Sequence, residues 1–168
     1  WTLVHATHLE AGEVRDLAAS GATAAICTTT EGNLGDGFFP FRDYLDHGGR
    51  WGIGSDSHIS VSPVEELRWL EYGQRLRDQR RNRMYRSDQP MVGRTLYDAA
   101  LAGGAQAMGQ PVAGLAVGQR ADWLVLDGND PYLATAQDDA ILNRWLFAGG
   151  DRQIRNVMVN GQWVVRDG

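Results

Sequence analysis

Short apolar runs alternate with amphipathic stretches through about residue 109, the pattern of βα units that build a parallel sheet. The run Thr2-Leu3-Val4-His5-Ala6 predicts a strand over 2–6. Thr7-His8-Leu9-Glu10 then has the Ser/Thr-x-x-Glu spacing of a capping box and predicts a helix over 9–20 that stops at Gly21. A second strand, 22–28, consists of small and β-branched residues. It leads into the glycine-rich stretch Thr29-Thr30-Glu31-Gly32-Asn33-Leu34-Gly35-Asp36-Gly37, expected to be a loop lining an active site. A short helix over 41–46 ends at Gly48-Gly49, and a third strand, 50–55, presents Asp56. Ser62-Pro63-Val64-Glu65 is a second capping box, with Pro at the first helical position, and predicts a long amphipathic helix to about Met84. One more helix, Arg94 to Met108, closes at Gly109.

Beyond Pro111 the pattern reads as purely β, with strands over 121–126, 157–159 and 163–165. Asn160-Gly161 separates the last two, and this dipeptide predicts a type I′ hairpin because both turn positions need positive φ. The fold class expected is α/β, with about three βα units over residues 1–112 and a small β appendage over 113–168. Three units do not close a barrel, so their outer strands are expected to expose pairing edges unless other chain covers them.

Composition narrows the function classes. The chain of 168 residues is 43% apolar and 22% charged, near globular averages, so nothing points to disorder. The net charge is −5 and all 16 basic residues are Arg, which argues against a nucleic-acid footprint. The arginines crowding the C-terminal half of the long helix, against Glu65 and Glu66 at its start, read as pairing with the helix dipole. The single cysteine, Cys27, excludes an internal disulfide, and no apolar stretch reaches the ~20 residues that span a bilayer. A reducing, cytoplasmic setting is expected, without a membrane partner. The chain opens at Trp1 with no initiator Met or leader pattern, so it reads as a piece of a longer protein.

The chemistry concentrates at two strand ends. Asp56 follows the third strand, and because Ser62 already caps the next helix, Asp56 is free for a metal or for general-base work. His5 ends the first strand. Alone it would read as a core histidine; its pairing with Asp56 at one mouth of a parallel sheet makes it a catalytic candidate. His8 suits a cap or a supporting role, His58 suits a bond near Asp56 or the ordering of its loop, and His47 reads as surface. Cys27 reads as a buried, inert small hydrophobe. Glu31 and Asp36 fit either substrate contact or turn formation.

The stretches Leu3-Val4-His5-Ala6-Thr7-His8, Thr29 to Gly37, Gly52-Ile53-Gly54-Ser55-Asp56-Ser57-His58 and Val64 to Arg75 together resemble the formimidoylglutamate deiminases of the amidohydrolase superfamily. Gly118-Gln119-Arg120-Ala121-Asp122-Trp123 and the closing hairpin resemble the superfamily's small β-sandwich domain more generally. The resemblance implies the C-terminal part, about strands six to eight, of a zinc-dependent (β/α)8 TIM barrel plus part of that sandwich. The reaction it implies turns N-formimidoyl-L-glutamate and water into N-formyl-L-glutamate and ammonia in histidine breakdown. By the same resemblance, His5 matches the strand-six histidine that orients the nucleophile or stabilises the adduct. Asp56 matches the strand-eight aspartate that binds zinc and handles protons. The family's other zinc ligands, its glutamate acid and its carboxylate-gripping arginines have no counterpart here. The implied partners are therefore the missing N-terminal barrel portion and, as a homo-oligomer, further copies, with the isolated chain inactive. Two other readings stand beside it: another superfamily deaminase acting on a nucleobase or aminated ring, and a non-catalytic remnant serving as an assembly module.

Overall fold

The computed structural model describes residues 1–112 and 114–168; Ala113, where the second unit is expected to begin, lies outside the described residues. Three short strands, β1 (Thr2–Val4), β2 (Thr23–Ile26) and β3 (Arg50–Ile53), form a parallel sheet in the order β1-β2-β3. Thr2 pairs with Thr23, and Thr23 with Arg50, so the strands run in step and finish at one edge. Parallel pairing requires crossovers, and helices supply them. Helix α1 (Ala11–Ala19) links β1 to β2, while α2 (Thr28–Leu34) and α3 (Phe41–Asp46) lie between β2 and β3. After β3 come two long helices, α4 (Pro63–Asp78) and α5 (Val92–Ala107).

A second sheet is antiparallel, with β4 (Trp123–Leu126), β5 (Ile154–Val159) and β6 (Gln162–Val165) in the order β4-β5-β6. Asn160 and Gly161 turn between β5 and β6 with φ of 49° and 79°, the expected type I′ signs. The region beyond Pro111, expected to be purely β, is not: between β4 and β5 it contains helix α6 (Ala140–Phe147). Its apolar residues Ile141, Leu142, Trp145 and Leu146 recur at helical spacing, and the last two are buried against α4 and α5.

The core joins both parts. Ile26, Phe41, Trp51, Val64, Leu67, Leu96, Trp145 and Leu146 belong to one buried cluster. Phe39, Phe41, Tyr44 and Trp51 meet edge to face at centroid distances of 4.8 to 6.2 Å, and the Tyr44 hydroxyl donates to the Arg50 carbonyl at 2.8 Å. Helix α5 packs on β3 through glycine. A Cβ at Gly103 would lie 1.8 Å from the Trp51 carbonyl oxygen, so only a hydrogen fits there.

Four local expectations are corrected. The first strand ends at Val4 rather than residue 6, because His5 and Ala6 take left-handed φ of 66° and 51°. Thr7 and His8 form a turn instead of a capping box; α1 begins at Ala11, where the Glu13 carboxylate accepts the Glu10 N–H at 2.9 Å. The supposed glycine-rich loop is helical through Leu34 and ends at Gly35, whose φ is 75°. Helix α4 stops at Asp78, not near Met84. Beyond it the chain folds back so that the Arg83 and Met84 N–H groups reach the fully buried Glu71 carboxylate at 2.8 and 3.0 Å.

Because Gly103 meets backbone rather than a movable side chain, Gly103→Ala should cost about 1–3 kcal/mol of stability, read as a lowered urea midpoint. An unchanged midpoint would show that α5 does not press on β3 in this way.

Candidate active site

The C-terminal ends of β1, β2 and β3 carry, in order, His5, Cys27 and the segment Gly54-Ser55-Asp56. The backbone is strained at two of these places. His5 and Asp56 both hold left-handed φ, 66° and 45°, a region costly for residues with a Cβ and concentrated at functional sites. The His5 N–H still bonds the Ala25 carbonyl at 2.9 Å, so the bend turns its side chain at the strand end without breaking the sheet.

The imidazole of His5 lies between two carboxylates. Its Nδ1 is 3.3 Å from Glu31 Oε1 and its Nε2 is 3.6 Å from Asp56 Oδ2. Glu31 is 3% exposed, whereas the His5 and Asp56 side chains are 35% and 42% exposed. The cluster thus has a dry side, made by Glu31, and an open side, made by Asp56 and Nε2. The same oxygen of Glu31 also accepts the Cys27 N–H at 2.9 Å. Burial pushes the Glu31 carboxyl above its usual range, and the bonds from Cys27 and His5 offset part of that rise.

Helix α2 places these groups, and its neighbour α4 places α2. The buried Glu66 carboxylate accepts the Thr29 N–H at 3.1 Å and the hydroxyls of Thr28 and Thr29, satisfying groups that a helix start leaves free. Thr30, the next residue, donates its hydroxyl to the Ser55 carbonyl at 3.0 Å and receives the His58 N–H at 3.1 Å. The turn that carries Asp56 is therefore tied on both sides to the helix that carries Glu31.

The other candidates fall outside this cluster. His58 contributes through its backbone, while its ring meets the Ser60 hydroxyl at 2.8 Å. His8 is exposed on its turn, and exposed His47 ends α3 with Nδ1 2.7 Å from the Asp43 carbonyl. Burial, with the charges of Glu31, Asp56 and Glu66, pushes the Cys27 thiol up to about 12, which leaves it inert as a nucleophile. The part played by Glu31, Thr30 and Glu66 is what sequence reasoning left open or missed. One local signal existed: Thr28-Thr29-Thr30-Glu31 has the spacing of a helix start rather than of a loop.

Asp56 and His5 Nε2 offer one oxygen and one nitrogen donor on the open side. Among the described residues no group of three His, Cys, Asp or Glu side chains is placed to hold a metal. Catalytic zinc takes about three protein ligands, so this pair suits part of a coordination sphere and not the whole. A separate hollow of about 670 Å³, bounded by Tyr97 and Leu101 of α5 and by Trp123, lies away from these groups. No helix among the described residues is long and apolar enough to cross a membrane.

The strand-end His and Asp stand on a parallel sheet joined by crossover helices, an arrangement that fits part of a parallel α/β barrel. The amidohydrolase family model matches residues 1–164, and the chain belongs to that family. It is 74% identical over all 168 residues to a formimidoylglutamate deiminase of Pseudomonas aeruginosa, of which it covers 37%. Among solved structures, an amidohydrolase from Brucella melitensis superimposes with a TM-score of 0.92 at 41% identity, over 99% of this chain and 36% of that one. The atrazine chlorohydrolase TrzN from Arthrobacter aurescens, complexed with zinc, superimposes with a TM-score of 0.80 at 26% identity over 99% of this chain and 36% of that one. The chain thus spans little more than a third of the length of the relatives it matches.

The raised Glu31 carboxyl has a consequence for stability. A group that binds its proton more tightly folded than unfolded stabilises the fold below its unfolded pKa and loses that contribution as pH rises through the folded one. Glu31→Gln keeps a carbonyl oxygen for both bonds and never ionises. It should therefore melt higher than wild type at neutral pH, with the gap closing on acidification. A Gln variant less stable than wild type at every pH would contradict the buried, costly carboxylate.

Proposed function

We propose that this chain supplies part of the active site of a formimidoylglutamate deiminase, which hydrolyses N-formimidoyl-L-glutamate to N-formyl-L-glutamate and ammonia. The observation that carries this reading is the 74% identity across the whole chain to the Pseudomonas deiminase, and the His5–Asp56 pair is the chemistry it needs. The strands β1, β2 and β3 correspond in this reading to barrel strands six to eight, and residues 113–168 to part of a β-sandwich domain. The exposed outer strand β1, with Leu3 and Val4 38% and 54% exposed, offers an edge on which further barrel chain can pair.

Asp56 would hold zinc together with ligands from the part of the relatives' length that this chain does not span. Bound there, zinc would supply Lewis-acid chemistry toward water and the formimidoyl group. Asp56 takes a proton from the attacking water and passes it to the formimidoyl nitrogen; when the tetrahedral adduct collapses its C–N bond breaks, and the adduct's hydroxyl proton reaches the same nitrogen, which leaves as ammonia. His5, through Nε2, holds the nucleophile on the Asp56 side and then steadies the tetrahedral adduct by a hydrogen bond. Neither role needs Cys27. The same reading places the protein in the cytoplasm, in histidine degradation, as a homo-oligomer that is active only with the remaining barrel.

The test is a graft in which this chain replaces the matching stretch of the Pseudomonas aeruginosa deiminase. The graft should hydrolyse N-formimidoyl-L-glutamate, and Asp56→Asn should lower kcat by at least about 100-fold. A folded, zinc-loaded graft that ignores this substrate and turns over an aminated ring instead would overturn the assignment.

A further inference from the structure

We propose that Glu31 is the positioning residue for His5, accepting the Nδ1–H so that the ring presents Nε2, bare, toward Asp56. Its part in turnover rests on the deiminase reading above; its hold on the ring does not. Three features of the cluster argue for it. First, Glu31 Oε1 already accepts the Cys27 N–H at 2.9 Å, so this oxygen stands as an acceptor, and the His5 nitrogen 3.3 Å away is the donor. Second, Glu31 is buried and meets the ring through Nδ1, while Asp56 faces it through Nε2. Third, α2 is itself anchored by Glu66 through Thr28 and Thr29, so Glu31 is held by a fixed element rather than a loop.

The chemical result is two acceptors, Nε2 and Asp56 Oδ2, 3.6 Å apart on the open side. Two acceptors at that separation do not bond each other. They suit a single hydrogen-bond donor that touches both, and the attacking water is such a donor. With the opposite tautomer, Nε2–H would bond Asp56 directly and compete with the water for its carboxylate. A free imidazole in water favours the proton on Nε2, so the Nδ1–H form must be imposed by the protein. The competing account makes Glu31 only the cap of α2, since its bond to the Cys27 N–H serves that end alone.

Two readouts separate these accounts. The chain has four histidines, so long-range 15N–1H correlation of its imidazoles at a pH where they are neutral resolves each tautomer, with His5→Gln identifying the His5 signals. The expected result is Nδ1–H for His5 in wild type and in Glu31→Gln, whose amide oxygen can accept both bonds, and reversion to Nε2–H in Glu31→Leu. In the grafted deiminase, Glu31→Leu should lower kcat about 10–100-fold with KM little changed, and Glu31→Gln should restore most of it. Finding Nε2–H in wild type would overturn the proposal even if the Leu variant fails to fold. So would a Leu variant that melts lower yet keeps its kcat. If the unsubstituted graft is silent on N-formimidoyl-L-glutamate, the deiminase reading falls and the tautomer alone decides the role of Glu31.

Discussion

The strand-end cluster depends on one buried carboxylate that takes no part in it. Glu66, on α4, accepts a backbone N–H and two hydroxyls from the first turn of α2. A segment with Gly32 in its middle has weak helix propensity, and capping from a distant residue makes up the difference. Once that turn is set, consecutive residues act in two directions. Glu31 reaches His5 after β1, and Thr30 binds both Ser55 and His58 around Asp56 after β3. A short helix thereby fixes two side chains contributed by two different strands.

This arrangement also explains how strained backbone is tolerated. Left-handed φ at His5, Ala6 and Asp56 costs about 1–3 kcal/mol per residue. Bonds from the His5 N–H to Ala25 and from the Gly54 N–H to Ile26 continue the parallel ladder up to the bends, so the strain is confined to the strand ends. Below them the sheet is held by tight contacts, such as Gly103 against Trp51 and the aromatic group around Tyr44, that resist movement. A rigid base with bent ends is how a parallel sheet presents polar groups at a common mouth.

Much of this was legible in the sequence where the determinant was local. Alternating apolar runs marked β1, β2 and β3, Ser62-Pro63 marked the start of α4, and Asn160-Gly161 marked the hairpin. His5 and Asp56 stood out because each ends an apolar run, and the structure sets them side by side. Two of the failures share one cause, a determinant distant in sequence. Helix α2 is capped from 37 positions away, and α4 ends where Glu71 collects N–H groups from a returning loop. Thr7 looked like a cap because its spacing to Glu10 was right, yet the positive φ at His5 and Ala6 moved the helix start onward. Helix α6 is only eight residues long, too short for its period to outweigh the β pattern around it. Glu31 was left between substrate contact and turn formation because burial, not spacing, decides its role.

The most direct measurement is anomalous diffraction at the zinc edge from crystals of the grafted deiminase. If α2 holds His5 and Asp56 as one site, the zinc peak lies about 2.0–2.2 Å from an Asp56 oxygen, with the His5 ring still seated on Glu31. A zinc ion bound away from Asp56, or a His5 ring swung off Glu31, would contradict it.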